Sequence, residues 1–596
     1  MRLLFDIEAD GFLDTVTTVH CLVIKDLDTG LVEVFNNQEN TNLPDVSEGV
    51  YKLVQGEYAV AHNGIKYDVP VLEELYGVKF DESRIVDTLV LSRLIYSDLG
   101  DIDTKLMQEE RLPGKLFKSH SLEAWGMRLG NNKDDYQGGW ENWSQEMEDY
   151  CVQDVSTLES LYRHLTRKPY SAQAIELEHR VAWIIARQER YGFLFDQAKA
   201  ANLYGTLVQH KVRIEEKLRE AFPPLDLKDG KPKIYKRDNP SKNIVAGVPF
   251  QKYKRTEFNP GSRDHIAHWL KVMHNWEPMD FTDAGKPKVD ETVLSALPYP
   301  EAKLMAEYLM LIKRLGQLAE GDQAWLKKLG NDGRLHGSVI TNGAVTGRAT
   351  HSNPNLAQVP SCSSPYGGDC RELFCVPRGK ALVGADLSGL ELRCLAHFMA
   401  RYDGGAYGKI LLDGDIHTEN QHAAGLETRN QAKTFIYAFL YGAGDEKIGS
   451  IVGGDSRHGK KLKKKFFKQI PAIKSLVEAV KAKAEHSKFL LGLDGRVLHV
   501  RSSHAALNTL LQSAGALIAK QALVFFDESI NALDWRNRVQ QVAWVHDEIQ
   551  VECDEEIAEE VGRLAVESFV KAGEHFKFRI PITGEFKVGR NWKETH

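Results

Sequence analysis

No CxxC pair and no Cys/His spacing of a zinc module occurs among the seven cysteines. That excludes a structural zinc domain and a disulfide framework, and it points to a reducing, cytosolic setting. No apolar run reaches about 18 residues, so no membrane span is expected. The N-terminus, Met1-Arg2-Leu3-Leu4-Phe5-Asp6, meets an acid too early for a signal peptide. Internal repeats and long low-complexity tracts are absent. Positive charge is not in excess either: 76 Lys and Arg against 83 Asp and Glu leave −7. A surface for a polyanion must then come from local basic patches, offset by acids elsewhere.

What is present is ordinary for globular domains. The 596 residues are 42% hydrophobic and 27% charged, enough for more than one core. The stretch Val542 to Val551 reads as a β-hairpin, with His546, Asp547 and Glu548 at its tip and both acids exposed. Ile549 and Val551 alternate with Gln550 and Glu552, the pattern of a half-buried strand. Carboxylates on a rigid tip suit a divalent cation.

Near the N-terminus, Leu3 to Ile7 reads as a strand, and Asp6 and Glu8 share one of its faces. A second strand, Tyr58 to Ala61, leads to Asn63 and to Asp68 at a helix start, where a carboxylate is favoured. A longer helix from about Ser144 to Leu165 carries Tyr150 and Asp154 one turn apart. Four acids and a phenol from three segments can serve two cations flanking a phosphodiester.

The middle is helix-rich. Leu304, Tyr308, Leu311, Leu315 and Leu318 form a heptad-like seam, as in helix-on-helix packing. Between Asp226 and Glu257, nine basic and four acidic residues sit among Pro and Gly, which reads as an irregular basic arm. Such an arm could follow a phosphate backbone or be a solvated linker.

In the C-terminal half, Thr346 to Pro360 reads as an extended polar surface segment. Ala381 to Ala385 is a buried strand ending in Asp386, the natural partner of Asp547 in a two-cation site. Arg429, Lys433, Tyr437 and Tyr441 recur every four residues. The first three make a stripe about 12 Å long, cations at one end and a ring at the other, a layout for a nucleoside triphosphate. His417 could add a phosphate donor, and the lysines from 460 to 468 could meet template phosphates or only solvent.

Taken in order, these segments resemble family A DNA polymerases, and within them the replicative enzymes of T-seven-type bacteriophages. The resemblance rests on Asp6-Ile7-Glu8, Asn63 to Asp68 and Tyr150 to Asp154. It continues through Thr346-Gly347-Arg348, Asp386 to Arg393, Arg429 to Gly442, Ala506 to Gln512 and His546-Asp547-Glu548. It implies an α/β multidomain fold: a ribonuclease H-like 3′→5′ exonuclease domain over 1–168 and a right-hand polymerase domain. The thumb would span 172–318 with its arm at 226–257, the palm 319–397 and 518–596, and the fingers 398–517.

The same resemblance implies roles. Asp386 and Asp547 would bind two Mg2+, with Glu548 in support and Mn2+ as a substitute. Asp6, Glu8, Asp68 and Asp154 would hold the exonuclease metals, and Tyr150 would orient the attacking water. Arg429, Lys433 and His417 would bind the phosphates of a dNTP, Tyr437 its sugar and base, and Glu391 would exclude a 2′-hydroxyl. Arg348, Asn508, Gln512 and His546 would touch the minor groove of primer-template DNA. A replicative helicase-primase, a single-strand DNA-binding protein and the cytoplasm of an infected bacterium complete the expected setting. Host thioredoxin also comes with the resemblance, but the segment from about Phe222 to Phe258 is shorter than a thioredoxin-binding insertion. Two other readings use the same residues. One is an exonuclease whose C-terminal half only binds DNA; the other is a non-catalytic clamp, which has no need of either acidic set.

Overall fold

The computed structural model describes residues 1–39, 41–131, 136–282 and 284–596; part of the short loop from Gly130 to Ser144 therefore lies outside the described residues. Two compact units emerge. One comprises residues 1–193, 336–362 and 375–596; the other comprises 194–335 and 363–374.

Two sheets organise the first unit. The N-terminal one is five-stranded, in the order Val32–Asn36, Val19–Asp26, Arg2–Ala9, Tyr58–Ala61, Ile85–Asp87. Its first three strands are antiparallel and the last two join in parallel. Both faces of Arg2–Ala9 are covered, which is why it reads as an almost continuous apolar run. Leu3, Phe5 and Ile7 enter one core layer. Leu4 enters the other, with Val23, Val60, Val155 and Leu158. Asp6 and Glu8 continue the face of Leu4, where the helix Gln145–Thr166 packs.

The second sheet has four antiparallel strands, ordered Val539–Val545, Glu548–Asp554, Lys380–Leu387, Gly584–Gly589. Ala381, Val383, Ala385, Ile549 and Val551 face a core built with the helices Ala506–Ala532 and Ala558–His575. The opposite face is polar yet also covered. Gln550 and Glu552 are buried, bonded to the Thr595 and Tyr191 hydroxyls. The strand read as half-buried is thus buried on both sides, because residues near the C-terminus and the helix Ala172–Tyr191 close over it.

One helix, Ser503–Ala532, is long and apolar enough on average to cross a membrane, although Asn508, Gln512, Lys520 and Gln521 interrupt its apolar run. It is the central core helix instead, with 83% of its most apolar window inside the protein. The segment 346–360 is likewise no simple surface stretch. Thr350–Ser352 pairs with Ser338–Ile340, and Thr346, Ala349, Leu356 and Val359 are buried.

In the second unit the helices Gln197–Ala221 and Pro300–Leu315 pack together. The seam is Ala302, Met305, Tyr308, Leu311, Leu315 and Leu318; Met305 rather than Leu304 takes the buried place. The basic arm is more ordered than its composition suggests. Leu225–Lys228 pairs with Tyr253–Thr256, and Lys233–Ile234 with Pro249–Phe250, two short antiparallel ladders.

Candidate active sites

The N-terminal centre forms where a strand, a loop and a helix converge. The helix Gln145–Thr166, capped by Ser144, presents Cys151 to the strand Arg2–Ala9. Donor atoms of Asp6, Glu8 and Cys151 lie within 4.8 Å of one another. The Cys151 thiol donates to Asp6 Oδ2 at 3.8 Å, and burial pushes its pKa up. Asp154, three residues on, shares the helix face of Cys151 and is buried. Tyr150 joins Tyr136 and Trp140 in an aromatic group, ring centroids 5.7 and 6.4 Å away.

Asp68 opens the helix Asp68–Tyr76 and is buried. Burial first, then the Asp87 carboxylate, push it up to about 7, while a bond from the Ile7 backbone N–H opposes the shift. Tyr67 was not singled out by spacing, yet burial and the acids Asp68, Glu8, Asp10 and Asp6 push its phenol up to about 12. Its hydroxyl donates to the Gly11 carbonyl at 2.5 Å.

The C-terminal centre lies on the polar edge of the four-stranded sheet. His546 and Asp547 form a two-residue turn, with His546 in the left-handed region at φ 60°. The Leu387 N–H donates to the Asp547 carbonyl at 3.1 Å, fixing the turn against the strand that carries Asp386. Asp386 is register partner to Glu548. Burial, then Asp547 and Glu548, push Asp386 up to about 7; burial, then Glu391, push Asp547 up to about 6. Carboxylates crowded this way repel one another, and a divalent cation is what relieves such crowding. The carboxylate oxygens at both centres fit hard cations, while the Cys151 thiol, kept protonated by burial, does not.

Glu548 departs from expectation. It is buried rather than exposed at the tip, because Trp592 Nε1 donates to its Oε1 at 2.5 Å and Gln550 Nε2 at 2.7 Å. His596 Nδ1 lies 3.3 Å from its other oxygen. Spacing could not find these partners, two of which sit more than 40 residues away in the chain.

Beside Asp547 a cavity of 240 Å³ is lined by Arg348, Glu391, Tyr441, Leu511, Gly515 and His546, among others. Tyr441 donates to Glu391 Oε1 at 3.1 Å, a use its place in the four-residue series did not foretell. Asn508 and Gln512 line a separate, 960 Å³ cleft with Asn342 and Thr346, and with His62 and Asn63 of the N-terminal domain. The four residues expected along one groove are therefore divided between two cavities that share the helix Ala506–Ala532.

The helix Arg429–Leu440 starts with a capping box from Thr428 and Gln431. Arg429 and Lys433 are exposed and Tyr437 is half-buried. The Arg429 fork is engaged by Asp415, Nε at 2.7 Å and Nη2 at 3.2 Å. His417 follows Asp415 at the start of the preceding helix, Ile416–Ala424, its ring 6.3 Å from that of Tyr437. In the lysine run, the helix Ser456–Gln469, Lys463 bonds the Ala443 carbonyl and Asp445, while Lys460, Lys461, Lys464 and Lys468 are exposed.

Comparison with known proteins agrees with this geometry. Residues 245–594 match the model of DNA polymerase family A, and residues 3–166 match that of the RNase H superfamily. The chain is 42% identical to the DNA-directed DNA polymerase of Enterobacteria phage T3 over the full length of both. It is 41% identical to that of Escherichia phage T7 over 99% of each. In fold it is similar to a solved structure, the POL domain of Pol1 from M. smegmatis in complex with DNA primer-template and dNTP. The TM-score is 0.74 at 17% identity, covering 99% of this chain and 95% of that one. A right-hand polymerase motif set over the C-terminal half, an RNase H-type sheet before it and full-length identity to phage enzymes lead to one assignment: this chain belongs to the family A DNA polymerases.

Proposed function

We propose that this DNA polymerase replicates phage DNA, extending a primer 3′ end from dNTPs at the C-terminal centre and proofreading in the 3′→5′ direction at the N-terminal one. The observation that carries the reading is a pair of acidic clusters on separate sheets: Asp6 and Glu8, with donor atoms within 4.8 Å of each other, on one, and Asp386 and Asp547, joined by the bond from the Leu387 N–H to the Asp547 carbonyl, on the other. Full-length identity to DNA-directed DNA polymerases speaks against a nuclease whose second half only binds DNA.

Enzymes of both families use divalent cations. Here Asp386 and Asp547 would hold two Mg2+, and Asp6, Glu8, Asp68 and Asp154 another set, with Mn2+ able to substitute. Bound cations supply charge neutralisation at the phosphate and acidify the attacking hydroxyl. The protein's own residues do the rest. Lys433, with Arg429 once it exchanges Asp415 for phosphate, binds the triphosphate, and His417 adds a donor. Tyr437 packs against base and sugar. Glu391, held by Tyr441, closes the space below the sugar. Arg348 and His546 line the cavity beside Asp547, and Asn508 and Gln512 the adjoining cleft, where minor-groove acceptors can be checked without reading sequence. Tyr150 orients water at the proofreading centre.

We assign 1–168 to the exonuclease, 172–318 to the thumb, 319–397 and 518–596 to the palm and 398–517 to the fingers. The setting is the cytoplasm of an infected bacterium, with a helicase-primase and a single-strand DNA-binding protein alongside. The alignment with the T3 enzyme runs over 706 positions against 596 residues here, so more than a hundred of its positions face no residue of this chain. On our reading part of that shortfall falls in the arm at 226–257, which then grips DNA directly, without host thioredoxin.

Paired knockouts test the two-site reading. Asp6→Ala with Glu8→Ala should abolish single-strand degradation and leave primer extension nearly intact. Asp386→Ala should do the reverse. Loss of both activities in either variant would end the two-site assignment.

A further inference from the structure

Four charged side chains lie wholly inside the first unit, away from both acidic centres. Glu178 and Lys520 are 0% exposed, and Arg496 is 2%; Asp494 is buried beside them. Glu178 comes from the helix Ala172–Tyr191. Its Oε1 accepts from Lys520 Nζ at 2.5 Å and lies 2.6 Å from Arg496 Nη1. Arg496 forks onto Asp494, Nε at 2.9 Å and Nη2 at 2.7 Å from Oδ2. Two acids and two bases leave the quartet neutral. Burying four charges is expensive, and a packed apolar cluster would serve stability as well. Its placement needs another reason.

That reason is what the two cations carry. Arg496 Nη1 also donates to Asn342 Oδ1 at 3.2 Å. It presses on Gly347: a Cβ there would come within 2.8 Å of Arg496 Nη1, and Gly347 has φ +80°. Only glycine both takes that conformation readily and admits the guanidinium. The next residue, Arg348, lines the cavity beside Asp547. Lys520 stands on the helix Ala506–Ala532, whose Leu511, Gly515 and Ala516 line the same cavity, and whose Asn508 and Gln512 line the neighbouring cleft. Two segments lining one cavity are thus tied to one carboxylate, which itself does not line it.

We propose that Glu178, through Arg496 and Lys520, is a positioning residue of the polymerase site: it sets the distance between the Thr346–Arg348 turn and the helix bearing Asn508 and Gln512. A neutral ion quartet has directional bonds that an apolar contact lacks, so it fixes register as well as burial. This inference rests on the polymerase reading of the site. The walls it spaces are the ones assigned above to checking the primer terminus. The expected signature is therefore a change in discrimination between paired and mispaired termini, beyond any loss of stability.

Two substitutions test it. Glu178→Gln removes the shared charge at nearly constant shape. Lys520→Met cuts the helix Ala506–Ala532 loose from Glu178 while leaving Arg496 on the Thr346–Arg348 turn. Rates are measured per active site, titrated by burst amplitude, so a lower folded fraction cannot mimic the effect. In both variants the ratio of extension from a matched over a mismatched terminus should fall about tenfold or more. Single-strand degradation should stay within about twofold. Unchanged discrimination per active site in the variants that fold would overturn the proposal and leave the quartet a stabilising element. If Glu178→Gln does not fold, Lys520→Met alone decides. Failure of the polymerase reading would look different, since the unaltered protein would then extend no primer.

Discussion

At the scale of single residues, Glu548 shows how little a side chain's neighbours in sequence say about its state. His546-Asp547-Glu548 reads as one polar tip, yet Asp547 faces the cavity beside Arg348 while Glu548 turns into the protein toward Trp592. The two acids should respond differently to substitution. Asp547→Ala should lower nucleotide incorporation by orders of magnitude, as expected for a primary metal ligand. A fall of less than about tenfold, or about 1.4 kcal/mol, would take that role away from it. Trp592→Phe keeps a buried aromatic ring but removes the pyrrole half of the indole with its N–H, leaving a buried carboxylate oxygen one bond short. Stability should drop by about 1–3 kcal/mol, with incorporation reduced more mildly than in Asp547→Ala. Thermal melting and single-turnover incorporation on the same preparations separate the two.

At the scale of elements, the helix Arg429–Leu440 and the basic arm carry opposite expectations. The helix leaves Lys433 exposed to solvent, free for the triphosphate contact proposed above, while Arg429 is paired with Asp415. Lys433→Ala should weaken nucleotide use far more than primer-template binding. Equal losses in both would make the helix a contact for the DNA backbone. The arm is two β-ladders bearing scattered lysines, with Ile234, Val245, Val248 and Tyr253 more than half exposed. A stable protein interface needs about 800 Å² per side around a buried apolar centre, whereas duplex phosphates need only the lysines. Replacing Lys231, Lys233, Lys236 and Arg237 by alanine should flatten the slope of log affinity against log salt. An unchanged slope, together with longer products on adding thioredoxin, would turn the arm into a partner site.

At the scale of the whole molecule, acid stability reflects two opposed sets of groups. Burial holds His120 at about 3 and His351 and His397 at about 4, below their ordinary value. The unfolded chain takes up protons near 6.5 while the fold resists, so these groups make stability fall as pH drops from about 6.5 to about 4. Asp68 and Asp386 at about 7 and Asp547 at about 6 act the other way. The fold keeps their protons after the unfolded chain has lost them, so acidification relieves them until a divalent cation takes the proton's place. With Mg2+ present the histidine branch should therefore dominate. The melting temperature should fall through that window, and His351→Gln should flatten the fall by the equivalent of about 1–2 kcal/mol. An identical profile for His351→Gln would remove His351 from the account.

Much of this protein was decided by local sequence. Asp6 and Glu8 share a strand face because side chains alternate along a strand. Tyr150 and Asp154 share a helix face, and Arg429, Lys433 and Tyr437 a stripe, because a helix turns every 3.6 residues. Covalent geometry writes those periods into short stretches, so the shared faces of these residues were legible without a structure. Other features depend on residues that meet only after folding. Trp592 and His596 reach Glu548, Cys151 reaches Asp6, and Glu178 joins Arg496 to Lys520 across more than 300 residues of chain. Polar residues at Gln550 and Glu552 mimic an exposed edge until the C-terminal segment and Tyr191 cover them. Contacts at such separations follow no period, because what fixes them is the closure of one packed core over another segment's side chains. Only the tertiary structure could decide them.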